Sequence, residues 1–206
     1  MINSVPYHSQ WSDPVWGESI AVDNADPCAD PAWMNHGFSS KDDYRYWTNR
    51  ICGLACLESM LDHWAIPRPN RFILLQEAIH NGVYVPQNNG SVLGLVYRPF
   101  SKWVGDRFGL SAVPIANTKL PDFLESIPPG GFGMASVSQE IRCPMSPRAS
   151  SSNGGHLVLV LGQVAGSVVF HNPSGVRPYQ AFATLTIDQF ASFFASKGIV
   201  IESGEC

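Results

Sequence analysis

The chain has 206 residues, 45% of them hydrophobic and 15% charged, with a net charge of −4 and no basic tract. Such a composition supplies a substantial core for one compact domain and argues against a nucleic-acid surface. The N-terminus, Met1-Ile2-Asn3-Ser4-Val5-Pro6, has no charged segment followed by an apolar run, and no stretch of about 18 apolar residues occurs, so neither a secretory signal nor a membrane anchor is expected. The odd count of five cysteines, at 28, 52, 56, 143 and 206, then predicts a reduced, cytoplasmic setting.

In chain order, the first predicted feature is a long loop over 13–48. Its Asp-Pro steps at 13–14, 26–27 and 30–31 read as turns. Its seven carboxylates against Lys41 and Arg45 read as a solvated acidic face. Its aromatics, Trp16, Trp33, Tyr44, Tyr46 and Trp47, argue against disorder and leave a choice between a packed loop and a lid or substrate wall. A helix starts at Cys52: Leu57, Met60, Leu61 and Trp64 fall on one face, and Pro67 and Pro69 bound it downstream. Helices follow over Phe72–His80, near 92–108 with Pro99 interrupting, and over 119–127 before Pro128-Pro129. Strands are predicted at 132–138, 156–164 and 167–172, the last two joined by an Ala165-Gly166 turn. A serine-rich stretch, 146–155, reads as a mobile loop ahead of His156. A helix over Ile187–Lys197, with Phe190, Phe193 and Phe194 inward, and a strand at Ile199–Ile201 close the chain. Helices followed by an antiparallel sheet predict an α+β fold, with the Cys52 helix packed on the sheet.

Three residues carry the chemistry. Cys52 lies at a helix start, where free N–H groups and the helix dipole favour a thiolate and lower a thiol pKa. His156 heads a buried apolar strand, and Asn172 ends its hairpin partner, so the two fall at one end of the hairpin. Asn172 can then accept from the imidazole and set its tautomer, the third-group role in nucleophile activation. Cys56, one turn further into the helix, reads as a buried small hydrophobe. Cys52, Cys56 and His63 lack the paired spacing of structural zinc sites, so neither metal nor cofactor is expected.

Val5-Pro6-Tyr7-His8-Ser9-Gln10, Cys52-Gly53-Leu54-Ala55-Cys56-Leu57, Gly155-His156-Leu157-Val158-Leu159-Val160-Leu161-Gly162 and His171-Asn172-Pro173-Ser174-Gly175 together resemble the bacteriocin-processing (double-glycine) peptidase-like branch of the papain-like cysteine peptidases. The resemblance spans nearly the whole chain. It implies that Cys52 attacks, that His156 is the base, that Asn172 orients it where the family more often has Asp, and that Gln10 helps hold the oxyanion. The 42 residues between Gln10 and Cys52 exceed the family's usual spacing, so 13–48 reads as an insertion in a single domain, 1–206. The expected activity is that of a peptidase or amide hydrolase acting on a peptide, amide or thioester substrate through a thioester acyl-enzyme. An acyltransferase or amide synthase that delivers the same acyl group to an amine, and a non-catalytic binding module on the same fold, are the alternatives. Oligomeric state and bond specificity leave no mark in the sequence.

Overall fold

The computed structural model describes residues 4–145 and 154–204; most of the serine-rich stretch, 146–153, therefore lies outside the described residues. The first helix, α1 (Pro14–Asp23), is followed by single 3-10 turns at Pro27–Ala29 and Trp33–His36, and then by α2 (Lys41–Thr48). The loop expected over 13–48 is therefore largely helical. The Asp-Pro steps at 13–14 and 26–27 start helical turns for a local reason, and the step at 30–31 is a turn as expected. Asp13 and Asp26 are N-caps whose carboxylates accept from Val15 N–H and Cys28 N–H, and Pro14 and Pro27 occupy first helical positions, where a missing N–H costs nothing. Asp30 is buried and accepts from Tyr44 Oη, from Asp13 N–H at 3.1 Å and from Ala32 N–H at 2.8 Å. Tyr44 and Trp47 are core residues, whereas Arg45 bridges Asp26 and Asp42 on the exposed face.

The Cys52 helix is α3 (Cys52–His63), and α4 (Arg71–His80) is capped by Asn70 accepting from Ile73 N–H. A two-residue ladder, β1 (Val85–Pro86) with β2 (Val92–Leu93), precedes α5 (Tyr97–Phe108). The helix expected near 92–108 thus starts later, and Pro99 stands in its first turn without interrupting it. Next come β3 (Leu110–Ala116), α6 (Leu120–Glu125), β4 (Phe132–Ser138), a 3-10 turn at Gln139–Arg142, β5 (Gly155–Val164), β6 (Ser167–His171), β7 (Ala183–Thr186), α7 (Ile187–Ala191) and β8 (Phe194–Ser203). The expected helix over 187–197 ends after one capped turn, and its phenylalanines pass from α7 into β8.

Six strands form one antiparallel sheet in the order β3-β8-β4-β5-β6-β7. Ala165 and Gly166, both at positive φ, make the tight β5–β6 turn. The sheet is covered on both sides. Leu157, Leu159 and Leu161 of β5 join the cluster built by α2 to α5, while Val158 and Val160 face the other way, into a cluster with Phe123 of α6 and Phe190 of α7. This double burial explains the unbroken apolar run of β5. Each fully buried Leu, Val or Phe contributes about 1.5–3 kcal/mol of transfer free energy. Against β4, β8 carries extra residues: Phe194 pairs with Val137 and Gly198 with Ala135, and Ser196 between them has φ 55°. Among the described residues, no helix is long and apolar enough to cross a membrane.

Candidate active site

Cys52 is the first residue of α3, preceded by Ile51, which offers no side-chain cap. The sulfur-bearing residue is half-buried, in keeping with a reactive position, whereas Cys56 is fully buried with its thiol facing Leu157 O at 3.9 Å. Cys52 and His156 line the same cleft, of about 250 Å³, whose walls include Tyr84, Leu95, Tyr97 and Ser136. A Cβ on Gly53 would stand 2.4 Å from Leu95 Cδ1, so any larger residue there must displace the Leu95 side chain.

His156 enters from β5, opposite Val137 of β4. Its Nε2 lies 2.8 Å from Asn172 Oδ1. The orientation of the Asn172 amide is fixed, because Nδ2 donates to Ile141 O at 3.1 Å and Oδ1 also accepts from Ser174 N–H at 3.3 Å. Oδ1 can only accept, so the imidazole proton sits on Nε2 and Nδ1 keeps its lone pair. Ser174 Oγ stands 3.1 Å from the same Nε2 and accepts from Arg142 Nε at 2.7 Å. The loop that carries Asn172 is held tight: Asn172 N–H donates to Gln180 O, and a Cβ on Gly175 would stand 1.8 Å from Tyr179 O.

The N-terminal segment runs alongside this loop. Tyr7 Oη donates to Asn172 O at 3.0 Å, Ser9 Oγ to Pro173 O at 3.2 Å and Gln10 N–H to Pro173 O at 2.9 Å. His171 Nε2 meets Val5 O at 3.0 Å. The Gln10 side chain is buried, and neither its Oε1 nor its Nε2 has a hydrogen-bond partner. It is not one of the residues that line the cleft of Cys52 and His156. Cys52 and His156 therefore share a cleft, His156 is bonded to Asn172, and Gln10 is tied to the same loop through its backbone.

Electrostatics correct one expectation. Burial pushes the Cys52 thiol up, outweighing the Leu157 backbone and the Arg142 charge, which favour the thiolate. Burial, then the Arg142 charge, pushes His156 down to about 3, against the Asn172 hydrogen bond. Burial thus disfavours the charged form of each group, opposing the helix-start contribution to the thiol. Ser174 and Arg142 escape the sequence reading: Ser174 stands inside the matched run after Asn172, but Arg142 has no local signal. Among the described residues, no cluster of His, Cys, Asp and Glu could hold a metal ion.

No protein-family model matches the chain, and no curated protein does. Among solved structures, the chain is similar to the peptidase domain of Streptococcus ComA, a bi-functional ABC transporter involved in a quorum-sensing pathway. Sequence identity is 15%, the match covers 76% of this chain and 93% of that one, and the TM-score is 0.48.

Proposed function

We propose that this chain is a cysteine-dependent peptidase or amide hydrolase of papain-like type that works through a thioester acyl-enzyme. The observation that supports it best is the shared cleft of Cys52 and His156, with the imidazole tautomer set by Asn172. Nδ1 takes the thiol proton as the sulfur attacks the carbonyl carbon of the substrate. The resulting oxyanion takes the uncapped N–H of Cys52 as one donor; the unpartnered amide of Gln10, which does not line the cleft at rest, becomes the second by turning into it. The protonated Nδ1 then gives its proton to the departing amine as the C–N bond breaks. Water, deprotonated by Nδ1, attacks the thioester, releasing a carboxylic acid and restoring the thiol. Since burial disfavours the charged thiolate and imidazolium, proton transfer accompanies attack, as in general-base catalysis.

The test uses p-nitrophenyl acetate. The expected result is a stoichiometric burst of p-nitrophenol with an acetyl thioester on Cys52 by mass spectrometry. Cys52→Ala abolishes it, His156→Ala slows it by about 10²–10⁴-fold, and Cys56→Ala preserves it. An adduct on another cysteine, or an equal burst rate in His156→Ala, overturns the proposal.

A further inference from the structure

We propose that the cleft is built for acyl substrates bearing a carboxylate, received by Arg50 and Lys197; this rests on the acyl-enzyme reading above. The chain is net negative, yet the residues lining the cleft include two cations and no Asp or Glu. Of the ten other described cations, six hold a carboxylate, while Lys41, Arg98, Lys119 and Arg142 do not and none of the ten lines this cleft. Arg45, Arg68, Arg107 and Arg177 each hold a carboxylate. Arg50 and Lys197 have no carboxylate partner among the described residues.

Both are positioned by the backbone. Arg50 lies on the bend between α2 and α3, two residues before the nucleophile. Its guanidinium stacks 4.5 Å from the centroid of Tyr46 and donates from Nη1 to Tyr46 O. That arrangement fixes the planar group and leaves further N–H donors for a carboxylate. Lys197 comes from the irregular stretch of β8, where extra residues oppose Ser136 and Ser196 takes φ 55°. Such bulges re-aim side chains beside functional sites. Its Cε lies 3.8 Å from where a Cβ on Gly154 would stand, next to Ser136 and the start of β5. Apart from the cations, Ser136 and the Cys52/His156 pair, the side chains of the lining are apolar or aromatic, Tyr84, Leu95, Tyr97 and Leu157 among them. The lining therefore suits a short apolar stem ending in a carboxylate, such as an acidic side chain or a free C-terminal carboxylate.

The experiment measures second-order labelling of Cys52 by N-iodoacetyl derivatives of glycine, β-alanine and 4-aminobutanoic acid, each paired with its primary carboxamide. The ratio within each pair is the readout, with 2-mercaptoethanol as the neutral reference thiol. For at least one length the carboxylate should react about three- to tenfold faster than its amide, relative to the reference, as expected for one favourable charge pair near a protein surface. That preference should shrink in molar salt and disappear in Arg50→Gln/Lys197→Gln. A ratio equal to that of 2-mercaptoethanol at every length, or a preference unchanged in the double variant, overturns the proposal. The carboxamide rates test the underlying chemistry separately. If His156→Ala slows them while the ratio stays flat, only the charge assignment fails; if His156→Ala leaves them unchanged, the acyl-enzyme reading fails.

Discussion

Replacing Gln10 by Met tests the role of the one side chain of the N-terminal segment that has both amide atoms buried and unpartnered. Met has nearly the same length and shape, and the Gln10 N–H bond to Pro173 O is a backbone bond that the substitution leaves in place. A buried amide without partners costs about 1–3 kcal/mol in protein mutational data. Removing it should therefore raise stability by about that amount. For a chain of this size that is a rise in Tm of roughly 3–10 °C. If the same amide serves the oxyanion, its loss should lower the acylation rate by about 10²–10³-fold. The signature is a more stable, slower protein, the pattern of a site that holds an unsatisfied group for use in the transition state. Thermal unfolding by near-UV circular dichroism and the p-nitrophenyl acetate burst measure the two arms. A lower Tm in Gln10→Met would show that the amide supports the fold. A higher Tm with an unchanged burst rate would refute its place in the oxyanion site.

Acid should destabilise the fold through its buried histidines. Burial holds His156 down to about 3 and His171 down to about 4. Both values lie below the unfolded value of about 6.5, so the unfolded chain binds protons that the folded chain rejects. Stability is thus complete above the unfolded value and falls, by up to about 1.4 kcal/mol per pH unit for each histidine, as the pH drops toward the folded values; equal urea midpoints at pH 7 and pH 5 would contradict this. Glu58, buried on α3, pairs with Arg68 at 2.7 Å and with the buried Arg71. Glu58→Leu should cost about 3–5 kcal/mol by stranding the Arg71 charge, and adding Arg71→Met should recover most of it in a denaturant double-mutant cycle. Gly53→Ala should lower kcat/KM by about ten- to a hundredfold by pushing Leu95 into the cleft, with Leu95→Ala restoring it; unaltered kinetics would mean that Leu95 moves aside at no cost.

What the sequence made legible follows burial. β4, β5 and β6 are interior strands with unbroken or nearly unbroken burial, and their residues announce them. The strands missed are the short ladder of β1 and β2 and, in the six-stranded sheet, the two edges. β3 has only Leu110 fully buried and carries Pro114, which an edge strand tolerates, and β7 is four residues long. The phenylalanine spacing at 190, 193 and 194 imitates a helix because α7 hands its apolar face directly to β8. Cys52, His156 and Asn172 were readable because local elements place them: a helix start and the paired ends of one hairpin. Arg142 was not, since it reaches the site through Ser174, 32 residues away, by tertiary packing alone. The raised Cys52 thiol was not readable either, because the crowding that causes it comes from the whole surrounding fold.

The bonds from Tyr7, Ser9 and Gln10 to Asn172 and Pro173 join positions about 165 residues apart in the chain. Contacts of such separation close late, after the loop-closure entropy of everything between has been overcome. During synthesis Gln10 emerges before Cys52, and Asn172 follows 120 positions after Cys52. A growing chain thus carries its thiol for most of its length without a positioned imidazole. On the mechanism proposed above, chemical competence becomes a report that segments about 165 positions apart have met, and the order of synthesis delays it until they do.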